Sequence, residues 1–292
     1  MIYHILCNPL SGNGQGMTRI EALKSALNDG EISVNDIREI KDLISFVSSI
    51  SAEDVLILAG GDGTINRFVN DTEGASYPEK FFYYPTGSGN DFLRDVTTDE
   101  RGLVALAPYI RDLPVVTVKN KSYRFLNGIG YGIDGYCCQV GDEMRNKSDK
   151  TINYTSIAIK GLLFFYKPTN ATVTVDGKSY SFKKVWLAPS MNGRFYGGGM
   201  MVAPEQDRLA ADKELSLVVL HDSGKLKTLC VFPSIFKGEH IKHTDIFTVL
   251  KGREITVRFD RPVALQIDGE TVLDVSEYKV SANVPAKELA GV

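Results

Sequence analysis

The chain has 292 residues, 33 Lys and Arg against 36 Asp and Glu, and a formal net charge of −3. That length suits one large domain or two modest ones, and it should bury roughly 75% of the unfolded surface. Hydrophobic residues at 43% and charged residues at 24% exclude a disordered or fibrous chain, and the near-neutral balance excludes a dedicated polyanion binder, so no nucleic-acid partner is expected. Cys7, Cys137, Cys138 and Cys230 form neither a CxxC pair nor a metal-ligand spacing, which reads as a reduced, cytoplasmic compartment. The opening MIYHILCNPLSG lacks a basic flank and reads as a strand rather than a signal peptide. No apolar run approaches the length of a membrane span.

The first part of the chain alternates strand and helix. Ile2–Cys7 reads as a strand, and Met17–Leu27 carries a helical apolar stripe at Met17, Ile20, Leu23, Ala26 and Leu27. The run Asp54–Ala59 is continuously apolar after its first residue, as in a strand buried on both faces of a parallel sheet. It leads into Gly60-Gly61-Asp62-Gly63 and a helix over Thr64–Val69. Phe81–Tyr84 is a further strand, followed by Pro85-Thr86-Gly87-Ser88-Gly89 and a helix opening near Asn90. This repeat predicts a doubly wound α/β domain over residues 1–122.

Beyond about Pro114 the pattern becomes β-rich. Strands are expected at Val115–Val118, Thr172–Val175, Val185–Ala188, Leu215–Leu220, Ile255–Phe259, Val263–Ile267 and Lys279–Ala282. Asp176-Gly177 is a hairpin turn, and one helix is expected around Thr151–Tyr166. Residues 123–292 therefore read as a two-layer antiparallel β-sandwich domain, with the C-terminal end returning to the first domain.

Three glycine-bearing turns follow strands in the α/β part: Asn8-Pro9-Leu10-Ser11-Gly12, Gly60-Gly61-Asp62-Gly63-Thr64 and Gly87-Ser88-Gly89-Asn90-Asp91. In an open α/β sheet such turns gather at the carboxyl edge, where ligands bind. Glycine admits close backbone approach to an anion, and a helix N-terminus supplies unpaired N–H groups. One such loop alone can be a tight turn, but three on one edge point to a phosphate-bearing ligand. The GxxxxGK[ST] loop and a GxGxxG after the first strand are both lacking, which excludes a P-loop enzyme and a Rossmann dinucleotide site. Asp62 inside such a loop either meets phosphate through Mg²⁺ or caps the helix beginning near Thr64. Downstream, Gln266-Ile267-Asp268-Gly269-Glu270 is by itself only a hairpin signal.

Taken in order, NPLSG, GGDGTIN, PTGSGNDFLRD, NGIGYGIDG, FYGGGMMVAP, KGEHIKH and QIDGE resemble the diacylglycerol kinase catalytic family of lipid kinases, which includes sphingosine and ceramide kinases. GGDGT alone is shared with NAD kinases; the ordered set ending in YGGG and DGE is far more specific. The resemblance implies two domains with the active site in the cleft between them. It implies transfer of the ATP γ-phosphoryl group to a lipid hydroxyl, with diacylglycerol as the default acceptor. Asn8, Pro9, Leu10, Ser11, Gly12, Gly60, Gly61, Asp62, Gly63, Thr64, Ile65, Asn66 and Ser88 would line the nucleotide site, with Asn90 and Asp91 nearby. Asp62 would act through Mg²⁺. The base would be one of the carboxylates Glu270 and Asp268, with Glu270 slightly favoured.

The chain also departs from the family pattern. Ser88 replaces a threonine but keeps its hydroxyl, Leu93 replaces an alanine, and no threonine stands near Arg38–Glu39, where some relatives contact ATP. A structural Mg²⁺ near a D-G-x-[LFY] turn would by position use Leu209, Asp212 and Glu214, two of them through backbone carbonyls, but Lys213 occupies the glycine position. That departure alone suggests a nucleotide- or lipid-binding protein with impaired catalysis. The other alternative keeps the chemistry and changes the acceptor to a sphingoid base, ceramide, another glycerolipid or a non-lipid alcohol. His240 and His243 stand three apart and read as surface residues rather than a metal pair. Tyr154–Tyr166 and Lys225–Lys242 mix apolar residues with lysines, as expected of core-facing elements with solvated lysines or of peripheral docking at the inner membrane surface. Family members often form homodimers, although no segment here marks an interface.

Overall fold

The computed structural model describes residues 1–147 and 153–282, and the chain divides into two compact units at Leu113/Pro114. In the first unit, β1 (Ile2–Cys7), α1 (Gly16–Ala26), β2 (Glu31–Asp36), α2 (Leu43–Ser48), β3 (Val55–Gly60), α3 (Asp62–Asp71) and β4 (Phe81–Pro85) alternate, followed by β5 (Val104–Ala105) and α4 (Ala107–Ile110). The sheet order is β2-β1-β3-β4-β5, with only β5 antiparallel. All six residues of β3 are buried, because it lies between β1 and β4 in the middle of the sheet. Cys7 pairs with Ala59 and Gly60 with Pro85, so β1, β3 and β4 end almost level and bring their following loops together.

The helix expected at Asn90 is only a single 3₁₀ turn, Leu93–Asp95. Asn90 takes φ +50°, and the N–H groups of Asp91 and Phe92 are held by the Asp62 carboxylate. A left-handed residue and amides drawn sideways leave no room for a longer helix.

The second unit contains β6 (Val115–Val118), β7 (Lys121–Arg124), β8 (Gly128–Tyr131), α5 (Ile133–Arg145), α6 (Tyr154–Lys160), β9 (Thr169–Val175), β10 (Lys178–Val185), β11 (Ser190–Met191), β12 (Leu215–Leu220), α7 (Lys225–Val231), β13 (Phe247–Gly252), β14 (Glu254–Ile267) and β15 (Glu270–Ser281). Every named strand pairing is antiparallel, in the order β13-β12-β11-β8-β14-β15-β6-β7, with β9 joining β10 to β14. The hairpin of β6 and β7 pairs with β15, so residues 114–122 go with this unit rather than with the first. The expected return of the C-terminal end falls on residues 283–292, outside the described residues.

The strands wrap one core, in which Ile129 and Tyr131 of β8, Leu217 of β12, Val173 of β9 and Val257 of β14 are fully buried. The two strands expected at 255–259 and 263–267 are one strand, β14, with a register shift between Arg258 and Val263. Its first half pairs with β9 and its second with β8, and Pro262 sits in the irregular stretch, where its missing N–H is not needed.

Helix α5 has no counterpart in the sequence reading. Gly135 and Gly141 weaken its helical signal, yet close packing demands them. A Cβ at Gly135 would lie 2.0 Å from the Ala264 carbonyl oxygen, and one at Gly141 would lie 2.7 Å from the Tyr154 ring. The strand expected over 185–188 ends at Val185, with Leu187 kept as an isolated bridge to Gly132 and Leu220. Among the described residues no helix is long and apolar enough to cross a membrane.

His240 is fully buried rather than at the surface. Its Nε2 bonds the Val202 carbonyl at 3.0 Å, its ring meets Phe247 edge-on, and its Nδ1 has no partner. Burial lowers its pKa to about 4, so the native ring stays neutral while the unfolded one protonates near 6.5. Stability contributed at neutral pH should therefore fall as pH drops from about 6.5 to 4, by at most about 3 kcal/mol. Urea denaturation of the wild type and His240→Gln across that range should show the wild type losing stability relative to the variant as pH falls.

Candidate active site

In the first unit the three loops brace one another. Ser11 Oγ and Thr86 Oγ1 share a hydrogen bond of 2.7 Å, joining the first loop to the third. The amides of Thr86 and Gly87 both donate to the Gly60 carbonyl, at 2.7 and 3.0 Å, joining the third to the second. Gly61 and Gly87 touch through their backbones, and a Cβ on Gly87 would lie 2.4 Å from Gly61 Cα. Gly12, at φ +60°, sits against the Thr86 carbonyl, which a Cβ would meet at 2.3 Å.

Asp62 is the electrostatic link. It occupies the first position of α3, with Gly61 as the N-cap, so it does not cap the helix that it opens. Its Oδ2 accepts the Asp91 amide at 3.0 Å and its Oδ1 the Phe92 amide at 2.8 Å. A carboxylate is a hard oxygen donor of the kind Mg²⁺ shares with phosphate, so the residue type at this position fits such a cation. Asn90 donates from Nδ2 to the Gly87 carbonyl at 3.0 Å, while its Oδ1 is buried without a hydrogen-bond partner.

The other residues expected at the nucleotide site fall into two groups. Leu10, Gly63 and Ser88 are exposed, and Asn8, Pro9 and Thr64 are half-buried. Asn8 Oδ1 accepts the Leu10 amide at 3.1 Å. Ile65 belongs to the core: its side chain is fully buried and its N–H donates to the Gly61 carbonyl at 3.2 Å, so the side chain offers a ligand no polar group. Asn66 is buried too, with Asn70 Nδ2 bonding its carbonyl at 2.9 Å. The sequence reading omitted Arg19, whose Nη1 reaches the Pro85 and Gly87 carbonyls at 3.4 Å. A charged side chain four residues before Leu23, on the apolar stripe of α1, is the signal that could have drawn attention to it.

In the second unit the Asp268-Gly269 turn closes β14 onto β15 with both residues left-handed, at φ +46° and +99°. Asp268 and Glu270 differ completely in environment. The Asp268 carboxylate accepts three consecutive backbone amides: Leu126, Asn127 at 2.8 Å and Gly128 at 2.9 Å. Arg208, itself buried, braces that segment from behind, donating to the Leu126 carbonyl at 3.1 Å and to Asn127 Oδ1 at 3.2 Å. Gln266 Oε1 accepts the Gly269 amide at 2.6 Å, and Thr271 donates to Asp142 at 2.7 Å. Glu270, at the head of β15, is exposed.

A buried carboxyl belongs to the same region. Asp134 opens α5 and accepts the Tyr196 hydroxyl at 2.9 Å, and burial raises its pKa to about 6. Asp134 Oδ2 and Gln266 Nε2 both border Gly130, where a Cβ would meet them at 2.4 and 2.5 Å. The segments NGIGYGIDG, YGGG and QIDGE thus meet in one packed network.

The turn at Leu209, Asp212 and Glu214 keeps its shape despite Lys213, which adopts the left-handed conformation, at φ +55°, that glycine would take. Asp212 Oδ1 accepts the Glu214 amide at 3.1 Å, and the Glu214 carbonyl accepts Gln206 Nε2 at 2.9 Å. Among the described residues no group of three His, Cys, Asp or Glu side chains is arranged to hold a metal. A cation at this turn would rest on one carboxylate, backbone carbonyls and water, a donor set that Mg²⁺ accepts.

Residues 3–115 match the family described as the diacylglycerol kinase catalytic domain, and residues 127–285 match the YegS C-terminal NAD kinase beta sandwich-like domain. Together the two matches define a kinase. The chain belongs to the diacylglycerol kinase family and is a lipid kinase. It is 25% identical over 279 residues to a diacylglycerol kinase of Mycobacterium tuberculosis, covering 91% of this chain and 87% of that one. A crystal structure of a diacylglycerol kinase from Bacillus anthracis str. Sterne shares the fold, with a TM-score of 0.62 at 20% identity, covering 98% of this chain and 94% of that one.

The glycines divide by what surrounds them. Gly87→Ala should destabilise the first unit by at least about 2 kcal/mol, since the new methyl meets backbone. Gly63 is helical with open space around its Cβ position, so Gly63→Ala should raise stability by about 0.5–1 kcal/mol. Thermal denaturation of the two variants separates these outcomes.

Proposed function

We propose that the chain transfers the γ-phosphoryl group of ATP to the hydroxyl of a membrane lipid, with diacylglycerol as the acceptor and phosphatidic acid as the product. The observation that carries this reading is the contrast between the two motif carboxylates. Asp268 is committed to three backbone amides, whereas Glu270, two residues on, is exposed at the head of a strand.

In this reading the braced loops of the first unit receive the triphosphate. The open space at Gly63 admits a phosphate to the N-terminus of α3, where backbone amides and the helix dipole favour negative charge. The buried, unpartnered Asn90 Oδ1 offers an acceptor for a nucleotide hydroxyl or a bound water. Asp62 would hold Mg²⁺, which supplies charge neutralisation for the phosphates when bound. The acceptor oxygen attacks the γ-phosphorus, the bond from that phosphorus to the β,γ-bridging oxygen breaks, and the hydroxyl proton passes to Glu270. Asp268 is a positioning residue, fixing the turn from which Glu270 projects. The left-handed conformation of Lys213, which glycine would also take, supports this reading over a protein that has lost catalysis.

The test is a labelled-ATP assay with Mg²⁺ and mixed micelles of diacylglycerol, ceramide, sphingosine, monoacylglycerol or phosphatidylglycerol. Label is expected in phosphatidic acid; label in another product would keep the chemistry and replace the acceptor. Glu270→Gln should lower turnover by about 10²–10⁴-fold with ATP affinity unchanged. Asp268→Asn should cost about 2 kcal/mol of folding stability as well as activity, because its three amides lose a charged acceptor. Full turnover in Glu270→Gln would sink the base assignment.

A further inference from the structure

Two segments that stand about sixty residues apart in sequence form one exposed face in the second unit. Helix α6 runs into a single π turn, Gly161–Phe165, in which Leu162 is fully buried while Phe164 and Phe165 are 70% and 65% exposed. Tyr166, next in the chain, is again buried. The wider π turn anchors one side in the core and projects two adjacent phenyl rings outward. Helix α7 lies alongside: Lys225 Nζ donates to the Leu163 carbonyl at 2.9 Å, and Leu226 is 76% exposed. Three large apolar side chains thus stand in water where the fold gains nothing from their exposure.

Within these two segments the charge is of one sign. Residues 153–175 and 223–238 contain Lys160, Lys167, Lys225, Lys227 and Lys237 and no Asp or Glu, on a chain whose net charge is −3. Lys227 pairs with Asp245 from outside these segments. Phe165 also borders a mixed cavity of about 450 Å³, whose walls include Tyr166, Val263 and Leu273 together with Lys167, Arg261 and Asp274.

We propose that the π turn and α7 form a docking face for an anionic bilayer, with Phe164, Phe165 and Leu226 entering the acyl boundary and Lys160 and Lys225 against the headgroups. Apolar projections ringed by lysines fit a surface that is hydrophobic below and negative above. An acidic protein partner would use the lysines but has no general need for three projecting apolar groups. The inference rests on the reading that the acceptor is a membrane lipid.

The test is co-sedimentation of the full chain, without nucleotide or acceptor, with vesicles of phosphatidylcholine alone or mixed with phosphatidylglycerol. Binding is expected only to the mixed vesicles, weakening with salt. The Phe164→Ser/Phe165→Ser variant should bind at least tenfold more weakly, and Lys160→Gln about fivefold. Because these side chains are exposed, the variants should fold. They should also keep wild-type turnover on a short-chain diacylglycerol presented as monomers. Vesicle binding unchanged in the double variant would overturn the proposal, as would a change only from dimer to monomer. Loss of vesicle binding in the variant, with no lipid phosphorylated by the wild type, would support the docking face and defeat the kinase acceptor instead.

Discussion

A carboxylate facing consecutive backbone N–H groups is the interaction on which the motif loops of each unit depend. Asp268 gathers the amides of residues 126–128, and Asp62 gathers those of Asp91 and Phe92. Charge-assisted bonds of this kind are about twice as strong as neutral ones, and several converging on one group fix a loop more tightly than packing alone can. Each therefore converts a glycine-rich segment, which has most to lose in conformational entropy, into a rigid element. Removing either anion would leave amides without acceptors as well as loosen a turn.

This arrangement divides the acidic residues by task. A carboxylate whose lone pairs are committed to amides is a poor proton acceptor, and one that stands free is a poor scaffold. In the proposed reaction, Asp268 and Glu270, two residues apart across a left-handed turn, take one job each. Asp62 likewise braces the third loop by holding the Asp91 and Phe92 amides. In phosphoryl transfer, where positioning and charge neutralisation carry most of the barrier reduction, the scaffold carboxylates matter as much as the base.

The strand-loop-helix order, the three loops and the DGE turn were legible because each is a local signal: apolar runs, glycines between them, Asp-Gly at a hairpin. What was not legible depends on partners distant in sequence. Helix α5 contains glycines that argue against a helix until Ala264 and Tyr154 are placed against them. The continuity of β14 depends on β9 and β8 pairing with its two halves, which no local pattern around Pro262 discloses. Ile65 sits inside a motif yet points into the core, since a helical motif presents only some of its residues to a ligand. Conversely, the bracing by Arg19 and Arg208 reaches backbone carbonyls, and carbonyls carry no sequence signature.

The buried pair Asp134–Tyr196 shows how a motif of this kind can be held together by cost as well as by gain. Burial raises the carboxyl's pKa to about 6, so near neutrality the native state holds a desolvated anion whose named partners are one phenol and one amide. Its contribution to stability is greatest below the ordinary aspartate range and declines as pH rises to about 6, opposite in sign to that of His240 over most of the same interval. Two buried groups with opposed linkage flatten the dependence of stability on mildly acidic pH. An apolar pair in the place of Asp134 and Tyr196 would forfeit that balance and also the hydrogen bond joining the YGGG segment to the head of α5. The tie therefore fixes the head of α5 against the YGGG segment, while Gly135 lets the same helix pack on β14.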